Sequence, residues 1–478
     1  MSISDPATLL SSFRAALPPA AQLADDLVGK GAVTEGPFGE KPLVYADYVA
    51  SGRAVKTLEM FMLEQVLPYY ANSHTEASFC GSYMTRLRAA SRAAIARHCG
   101  ADASDHAVIF AGSGATAGLN RLVRLLGADR GRVKVIIGPY EHHSNILPWR
   151  ECGAEVVELP EGAEGGPDLP ALDAALADVA AYDRVICAFS AASNVSGIIA
   201  DVAGLTSRVK AAGALMVWDY AGGGPYLPMA MEPAPDAGID ALVFSPHKFI
   251  GGPGATGILV LRRDAVVSDR PTWVGGGTVR FVSSEAHDYA DGLEAREEAG
   301  TPNVVGDIRA ALAVIVKEHI GQAHMQARNA DLSARAIAAW RDVPGIELLG
   351  LTGPARLPIL SFRIRDPRGG FIHQQLATRM LSDRFGIQAR GGCACAGPYV
   401  LRLLGHDAAA AARIREEILS GQELEKPGFV RLNLSALMSD AEVAYILESV
   451  ATLSRDAASY ADLYEADSAR AIFSRRAA

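Results

Sequence analysis

Residues 244–262 read FSPHKFIGGPGATGILVLR, and in this stretch a lysine stands between an apolar run and a glycine-rich turn. The apolar run before Lys248 and the run at 257–262 have the composition of buried strands. Lysine is rarely buried without a reason. In a desolvated pocket it loses its proton more easily and can form a Schiff base. We therefore interpret Lys248 as a candidate catalytic residue at the end of a strand.

Apolar runs of the same kind alternate with helical segments through the middle of the chain. Six runs are predicted as strands: HAVIFAG (106–112), VKVIIG (133–138), RVICAFS (184–190), ALMVWD (214–219), ALVFS (241–245) and GILVLR (257–262). Alanine-rich and charged segments such as 115–127 and 200–212 are predicted as helices. This alternation is typical of crossover units, so we predict an α/β fold with a mostly parallel sheet covered on both faces.

The pattern changes after about residue 305, where a long helix over 305–342 is predicted. It is followed by a mixture of short strands and helices: PILSFRI (358–364), a helix at 371–384, GIQAR (386–390), FVRLNLS (429–435) and a final helix. We predict three parts, namely an N-terminal helical segment at 1–40, a large domain at 41–305 and a smaller C-terminal α+β domain at 306–478.

Composition limits the class of protein. The 478 residues are 49% hydrophobic and 21% charged, which permits a large core and argues against global disorder. The net charge is −9 and no basic run is present, so nucleic acid is not an expected partner. No apolar stretch is long enough for a membrane helix, and the first 20 residues lack a signal-peptide pattern. We predict a cytoplasmic protein. Four of its six cysteines are expected to be reduced and structural: Cys80, Cys99, Cys152 and Cys187.

Further polar signals follow predicted strands, where ligands bind in open α/β sheets. The glycine-rich segment 111–120 opens a helix, an arrangement that suits a phosphate. His142 and His143 could ligate a metal or stack on a flat ring, but sequence neighbours rarely face one ion, so no metal site is predicted. Asp219 ends a strand and needs a partner, such as a protonated pyridine nitrogen. With Lys248, these signals describe a pyridoxal phosphate site.

Several motifs follow one another in a fixed order: VYADYVASG, YYANSHTEAS, EHHSNILPW, SNVSG, SPHKFIGGPGATGIL, REEAGTPN and the cysteine loop RGGCACAGP. In combination they resemble the class V aminotransferase group of pyridoxal phosphate enzymes, and within it the cysteine desulfurases and selenocysteine lyases, from about Val44 to about Ser449. The resemblance implies a fold type I architecture and a homodimer with active sites at the subunit interface. His74 matches a family position, and its role is either structural or functional.

The resemblance also implies roles for individual residues. Lys248 would bind the cofactor covalently, Asp219 would pair with its ring nitrogen and His142 would stack on its ring. Arg431 would bind the substrate carboxylate. Residues near the phosphate and substrate are Ala115, Thr116, Ser245 and His247 around the phosphate, Thr278 at the phosphate of the neighbouring subunit, and Asn194 beside cofactor and substrate.

The loop at 390–398 carries two cysteines one residue apart. By resemblance, Cys395 corresponds to the cysteine in the catalytic loop of both desulfurase branches. The glycines of the loop permit the mobility that a sulfur carrier needs. Arg390 could favour the thiolate. Cys393 could accept the persulfide and resolve it as a disulfide, or could be a bystander. A structural zinc site would need four ligands, whereas this pair of cysteines supplies two, so a metal site is not expected here.

Two further features depart from the desulfurase pattern. Gly222 stands where desulfurases usually carry a glutamine that bonds the phenolic oxygen of the cofactor. An additional helical stretch at 399–428 and the C-x-C spacing look like the desulfurase-like domain of molybdenum cofactor sulfurases. Those proteins carry a further C-terminal domain, whereas this sequence ends at Ala478, so that function is not expected here.

The predicted reaction is removal of sulfur from L-cysteine, which yields alanine and a persulfide on Cys395. A sulfur-acceptor protein is a candidate partner. The alternative is a pyridoxal phosphate-dependent β-lyase, amino-acid epimerase or aminotransferase that does not use the loop cysteine, because a shared fold does not settle the reaction. A binding protein on an inactive fold is a third hypothesis, which the retention of Lys248 argues against.

Overall fold

The computed structural model describes residues 5–73, 75–353 and 355–476. The helices are α1 (Pro6–Ala16), α2 (Lys56–Phe61), α3 (Phe79–His98), α4 (Gly114–Leu125), α5 (Leu147–Glu151), α6 (Leu169–Leu176), α7 (Val202–Ala211), α8 (Leu293–Glu297), α9 (Val304–Ile320), α10 (Gln322–Trp340), α11 (Gln374–Phe385), α12 (Gly397–Leu403), α13 (Ala408–Leu419) and α14 (Asp440–Ala461).

The strands are β1 (Val33–Gly36), β2 (Gly39–Pro42), β3 (Val44–Tyr45), β4 (His106–Gly112), β5 (Val133–Ile137), β6 (Glu155–Glu158), β7 (Arg184–Ser190), β8 (Leu215–Asp219), β9 (Ala241–Phe244), β10 (Gly257–Arg262), β11 (Val279–Val282), β12 (His287–Tyr289), β13 (Ile346–Leu348), β14 (Ile359–Ile364), β15 (Ile387–Gln388), β16 (Arg390–Gly392), β17 (Phe429–Asn433), β18 (Tyr464–Asp467) and β19 (Ile472–Arg475).

The chain divides into two compact units. The first comprises the described residues up to Val28, with Ser51–Ala191 and Ala200–Ala323. The second comprises Gly29–Ala50, Ala192–Ile199 and the described residues from His324 onward. The second unit is therefore assembled from three separate parts of the chain. The three consecutive segments inferred from the sequence describe a different kind of division. The division of the chain into domains at 40 and 305 stays a prediction.

A seven-stranded sheet forms the centre of the first unit, in the order β4-β10-β9-β8-β7-β5-β6. The five strands from β9 to β6 run parallel, while β10 is antiparallel to both of its neighbours. Every residue of β5 and β9 is buried, as expected for strands covered on both faces. The predicted mostly parallel α/β sheet is confirmed. The edge strand β6 escaped the prediction because its sequence EVVE begins and ends on charged residues.

Helix α4 lies closely against this sheet and places its first turn at the sheet edge. Leu119, Leu122 and Leu125 recur at helical spacing and are buried in the core. A Cβ at Gly118 would lie 2.8 Å from a methyl of Val243, so glycine permits the close approach. The helix is thereby fixed in position from its second turn onward.

The helix predicted over 305–342 is in fact two helices, α9 and α10. Gly321 separates them with φ +90°, a backbone conformation that glycine adopts readily and other residues rarely do. Helix α9 is buried along most of its length, which makes it a core helix of the first unit. None of the described helices combines the length and the apolar composition that a membrane-spanning helix requires.

The second unit is built on a four-stranded antiparallel sheet in the order β13-β14-β17-β16. A short parallel pairing of β15 with β3 joins residues 44–45 to the same unit. Residues 33–42 form the hairpin β1–β2, most of which lies in the segment 1–40 that was predicted as helical, and Gly39 with φ +82° closes its tight turn. A second hairpin, β18–β19, was not anticipated from the sequence.

Candidate active site

Lys248 follows β9 directly, at the end of a 3₁₀ turn that spans Pro246–Lys248. The side chain is half-buried. The turn is held from outside, since the amide of Gly52 donates to the carbonyl of His247 at 2.9 Å. A Cβ at Gly52 would lie 1.8 Å from the carbonyl oxygen of Phe249, so only glycine allows this approach. The lysine is thus presented at the carboxyl end of a central strand, as predicted.

The first turn of α4 meets the segment before Lys248. The amide of Ala115 donates to the hydroxyl of Ser245 at 2.9 Å. Gly114 has φ +63°, and a Cβ there would lie 2.9 Å from the Ser245 hydroxyl and 3.3 Å from the His247 ring. Burial, with the nearby Lys248, lowers the pKa of His247 to about 4, so its imidazole is neutral near pH 7. Of the four residues predicted around the phosphate, Ala115 and Ser245 are hydrogen-bonded to each other, and His247 lies beside Gly114 at the start of the same helix.

Thr116, the fourth of them, is linked to His142 through Ser144. The hydroxyls of Thr116 and Ser144 lie 2.7 Å apart, and the Ser144 hydroxyl lies 3.1 Å from Nδ1 of His142. The amide of Ser144 also donates to that nitrogen at 3.1 Å. These bonds hold the imidazole that was predicted to stack on a ring. The sequence interpretation missed Ser144, although it lies two residues after that histidine.

Asp219 ends β8 with its side chain buried, at 2% exposure. Burial raises the pKa of this carboxyl, while the amide of Ala221, which donates to it at 2.8 Å, and the charge of Lys248 act in the opposite direction. A buried carboxylate is costly without a cationic partner. The carboxyl is therefore suited to pairing with a protonated ring nitrogen.

A second buried carboxyl, Glu141, was not assigned from the sequence. It accepts hydrogen bonds from the amide and hydroxyl of Ser190 at 2.8 and 2.6 Å and from Asn145 at 2.7 Å. Burial raises its pKa to about 7, and the negative charge of Asp219 contributes in the same direction. The argument applied to Asp219, a carboxyl after an apolar strand, would also have identified this residue.

A buried lysine fixes the turn that follows Asp219. Nζ of Lys317, on α9, donates to the carbonyls of Gly224 and Leu227 at 2.7 and 2.5 Å. Burial lowers its pKa to about 7. The turn contains Gly222, which offers no side-chain donor at the position that the family resemblance associates with a glutamine. The lysine supports the backbone of this turn and was not identified from the sequence.

These residues of the first unit fit pyridoxal phosphate. A helix N-terminus beside Ser245 suits a phosphate, and a held imidazole at His142 suits a flat ring. The raised pKa of Asp219 marks a buried carboxyl that a cationic ring nitrogen would balance. Among the residues that the structure describes, no group of three or more His, Cys, Asp or Glu side chains could hold a metal ion.

The second unit contains a buried ion pair around Arg431, on β17. Nη2 of this arginine lies 2.9 Å from Oδ1 of Asp47, and the side chains are 4% and 11% exposed. The other oxygen of Asp47 lies 3.0 Å from Nε of Arg390. Nη1 of Arg431 donates to the carbonyl of Asn194 at 3.1 Å. Asp47 stands in the motif VYADYVASG, yet the sequence interpretation gave it no role.

The cysteine loop is attached to the same cluster. The side-chain amide of Asn194 donates at 2.8 Å to the carbonyl of Ala394, which lies between the two cysteines. Cys393 is half-buried and Cys395 is exposed. Ala394 and Cys395 have φ values of 49° and 55°, in the left-handed region that side chains other than those of Gly, Asn and Asp disfavour. The loop thus holds a strained conformation close to Arg431.

One predicted residue, Thr278, is not brought to either cluster. Thr278 is fully buried, and its hydroxyl donates to the carbonyl of Gly275 at 2.7 Å, within its own turn. His74 lies outside the described residues. The four cysteines outside the loop are free thiols, of which Cys99 and Cys187 are buried.

Comparison with known proteins identifies the family. The model of the family "Aminotransferase class-V" matches residues 44–445. A cysteine desulfurase of Pectobacterium atrosepticum is 30% identical over 374 residues, covering 75% of this chain and 86% of that protein. A probable cysteine desulfurase of Streptomyces coelicolor is 29% identical over 373 residues, covering 75% and 85%.

A solved structure agrees with these relatives. The apo cysteine desulfurase of Thermococcus onnurineus superimposes with a TM-score of 0.71 at 26% identity, covering 86% of this chain and 95% of that one. The order of strands around Lys248, the residues that suit a phosphate and the match over most of the sequence lead to one conclusion. The chain belongs to the class V aminotransferase family of pyridoxal phosphate-dependent enzymes and is similar to its cysteine desulfurases.

Proposed function

We propose that the protein is a cysteine desulfurase-type enzyme that takes sulfur from L-cysteine and produces alanine and a persulfide on Cys395. The observation that carries the proposal is the hydrogen bonding of Asn194, which reaches both Arg431 and the cysteine loop. A carboxylate-binding group and a sulfur nucleophile are the two features that desulfuration requires beyond the cofactor. The names of the relatives support the same reaction.

Pyridoxal phosphate would be held by residues of the first unit. Lys248 would bind it covalently, Asp219 would pair with its ring nitrogen and His142 would stack on the ring. The phosphate would be bound by Ala115, Thr116, Ser245 and His247. When bound, the cofactor supplies an electron sink for the carbanion that forms at the substrate Cα. Glu141, which precedes His142 in the chain, accepts hydrogen bonds from Asn145 and Ser190 and would help to fix this part of the site.

Arg431 would bind the substrate carboxylate through its planar guanidinium, which presents paired donors to two oxygens. Asp47 holds this guanidinium in place and balances its charge before the substrate arrives. Asn194, whose backbone carbonyl accepts a hydrogen bond from this arginine, would lie beside the substrate and the cofactor. The amine of Lys248, once displaced by the substrate, would remove the Cα proton.

The sulfur step would use the loop cysteine. The thiolate of Cys395 would attack the substrate sulfur, so that an S–S bond forms as the Cβ–S bond breaks. The electron pair of the broken bond would remain on the carbon portion, which takes up protons and leaves as alanine. Exposure of Cys395, compared with the half-buried Cys393, favours it as the nucleophile.

The assembly and location are part of the proposal. A homodimer in the cytoplasm would place Thr278 near the phosphate of the partner subunit, which requires its present bond to Gly275 to open. Large apolar side chains are exposed in the segment that contains it, among them Trp273 at 69% and Val274 at 70%. Such a patch is consistent with a subunit interface.

A product assay tests the reaction. Purified protein loaded with pyridoxal phosphate is incubated with L-cysteine, and alanine, pyruvate and D-cysteine are quantified. Alanine as the main product, with persulfide sulfur on the peptide containing Cys395, is expected. Pyruvate would instead indicate a β-lyase, and D-cysteine an epimerase. Borohydride reduction should attach the cofactor to the peptide containing Lys248, and attachment to another lysine would contradict the site.

A further inference from the structure

A cavity of about 590 Å³ opens beside the cysteine loop, within the second unit. Cys393 and Cys395 line one side of it. The segment 399–428, which the family resemblance described above suggests is an addition to the desulfurase pattern, forms much of the other side. Cavities that bind small molecules typically enclose about 300–1,000 Å³. The volume therefore suits an organic molecule rather than a single ion or water.

Helix α13 turns an apolar face toward this cavity. Ala411, Ile414 and Ile418 recur at spacings of three and four residues, so they share one face, and all three line the cavity. Yet none of the residues of α13 is buried. An amphipathic helix normally gains its stability by covering its apolar face. Ala411, Ile414 and Ile418 are only partly buried, and an occupant of the cavity would cover the remainder of this face.

The charged residues of the lining give the cavity a positive character. Four cationic side chains line it, namely Arg390, Arg415, Lys426 and Arg470, against one acidic side chain, Glu423. Lys426 pairs with Glu423, and Arg390 pairs with Asp47 behind the loop. Within residues 5–73, 75–353 and 355–476, Arg415 and Arg470 form no ion pair. Two guanidinium groups are therefore available to an anion.

We propose that this cavity binds a small organic anion with an apolar body, held against the sulfur atoms of the cysteine loop. The apolar body would cover Ile414 and Ile418 of α13, and the anionic group would lie between Arg415 and Arg470. The inserted segment 399–428 thereby acquires a role, since it supplies one wall of a ligand site that the cysteine loop alone could not form.

The ligand would be the sulfur acceptor, and in this respect the inference rests on the proposed function. A thiolate on the ligand would attack the outer sulfur of a persulfide on Cys395. The S–S bond of the enzyme would break, and its electron pair would move to Sγ of Cys395, which is restored as a thiolate. The ligand would leave as its own persulfide, so no external oxidant or reductant is consumed.

The binding site can be tested without turnover. The holoenzyme is treated with iodoacetamide, and alkylation of Cys393 and Cys395 is followed by peptide mass spectrometry, with Cys80 as the internal reference. 8-Anilinonaphthalene-1-sulfonate supplies an anionic group on an apolar body, and N-phenyl-1-naphthylamine is the same skeleton without the charge. The sulfonate should slow alkylation of the loop cysteines saturably, at a concentration about 10-fold lower than the neutral compound.

Variants locate the two parts of the site. Arg415→Glu should raise the protecting concentration of the sulfonate about 10-fold and leave that of the neutral compound unchanged. Arg413→Glu, the same change on the same helix outside the cavity lining, is the matched control and should have little effect. Ala411→Trp should fill the cavity and abolish protection by both compounds. Thermal unfolding verifies that each variant is folded.

Three results would overturn the proposal. Equal protection by the charged and neutral compounds would remove the anion site. Equal effects of Arg413→Glu and Arg415→Glu would show that the sulfonate responds to the general charge of the helix and does not bind at Arg415. No protection by either compound would mean that the loop is open to solvent and serves a protein acceptor instead.

The acceptor role has a separate readout. Alanine formation from L-cysteine is measured with 2-mercaptobenzoate and with its uncharged methyl ester as acceptors. The acid should accelerate turnover more than the ester, and Arg415→Glu should remove this difference. Absence of alanine under all conditions would refute the proposed function but not the binding site, which the alkylation experiment reports independently.

Discussion

The side chain of Asn194 donates a hydrogen bond of 2.8 Å to the carbonyl of Ala394, in the middle of the cysteine loop. The backbone carbonyl of the same asparagine accepts a bond of 3.1 Å from Arg431. One residue therefore joins the loop that carries two thiols to a buried guanidinium. The two bonds use different groups, so a substitution can break the first and leave the second.

Asn194→Ala should release the cysteine loop while preserving substrate binding. The lost hydrogen bond is worth about 1 kcal/mol. Without it, the backbone strain at Ala394 and Cys395, which have positive φ values, would no longer be offset. We expect faster alkylation of Cys395, a turnover number reduced about 10-fold and a KM for L-cysteine changed less than about 2-fold. Unchanged alkylation of the loop would show that the bond does not restrain it.

Replacing the two loop cysteines singly should separate their roles. Cys395→Ala is expected to reduce alanine formation about 100-fold or more, because no other exposed thiol lies in the loop. The absorbance change of the cofactor on addition of L-cysteine should persist. Cys393→Ala should retain most turnover. Full activity in Cys395→Ala would show that the loop cysteine is not the nucleophile and would favour a lyase or an aminotransferase.

Arg431→Lys keeps the positive charge opposite Asp47 but loses the planar pair of donors. We expect KM for L-cysteine to rise about 30-fold, or about 2 kcal/mol, for the loss of one charged hydrogen bond. The absorbance spectrum of the resting enzyme should not change, since the cofactor residues are untouched. A KM equal to that of the wild type would assign the arginine a purely structural role.

Asp47→Asn should leave the buried guanidinium of Arg431 without a negative charge beside it. Loss of one partner of a buried ion pair costs about 3 kcal/mol. The thermal midpoint should fall, and L-alanine should raise it more in the variant than in the wild type, because the ligand carboxylate supplies the missing charge. Identical shifts in both proteins would argue against carboxylate binding at this arginine.

Glu141→Gln should change how stability depends on pH in the cofactor-free protein. The pKa of Glu141 is raised from 4.5 to about 7, so its stabilising contribution is complete below about pH 4.5 and is lost as pH rises through 7. The wild type should lose about 3 kcal/mol across this range through this group. The variant has no titrating group at position 141, so the part of the decrease that comes from this group should be missing.

Urea denaturation at pH 5 and pH 8 measures the effect of Glu141→Gln. Glu151→Gln, at an exposed position on α5, is the control and should follow the wild type at both values. Parallel stability curves for wild type and Glu141→Gln would show that the buried carboxyl does not titrate in this range.

The large sheet and the residues at the ends of its strands could be predicted from the amino-acid sequence alone. Buried parallel strands need continuous apolar, β-branched runs, and such runs are visible in any window of the sequence. Lys248 and Asp219 follow such runs directly, so their place at the sheet edge could be predicted. The glycine-rich turn between β4 and α4 could be predicted for the same reason, because it also follows an apolar run directly.

The cluster around Arg431 and the cavity beside the cysteine loop could not be predicted from the sequence, because they form only when distant segments pack together. Asp47, Asn194, Ala394 and Arg431 come from distant parts of the chain, and their hydrogen bonds follow from pairings of β3, β15, β16 and β17 that no local pattern encodes. Gly321 likewise ends α9 through a backbone angle, which composition does not reveal. Local periodicity specifies which residues are buried in an element, whereas contacts between distant segments depend on packing, and packing decides which side chains can meet the loop cysteines.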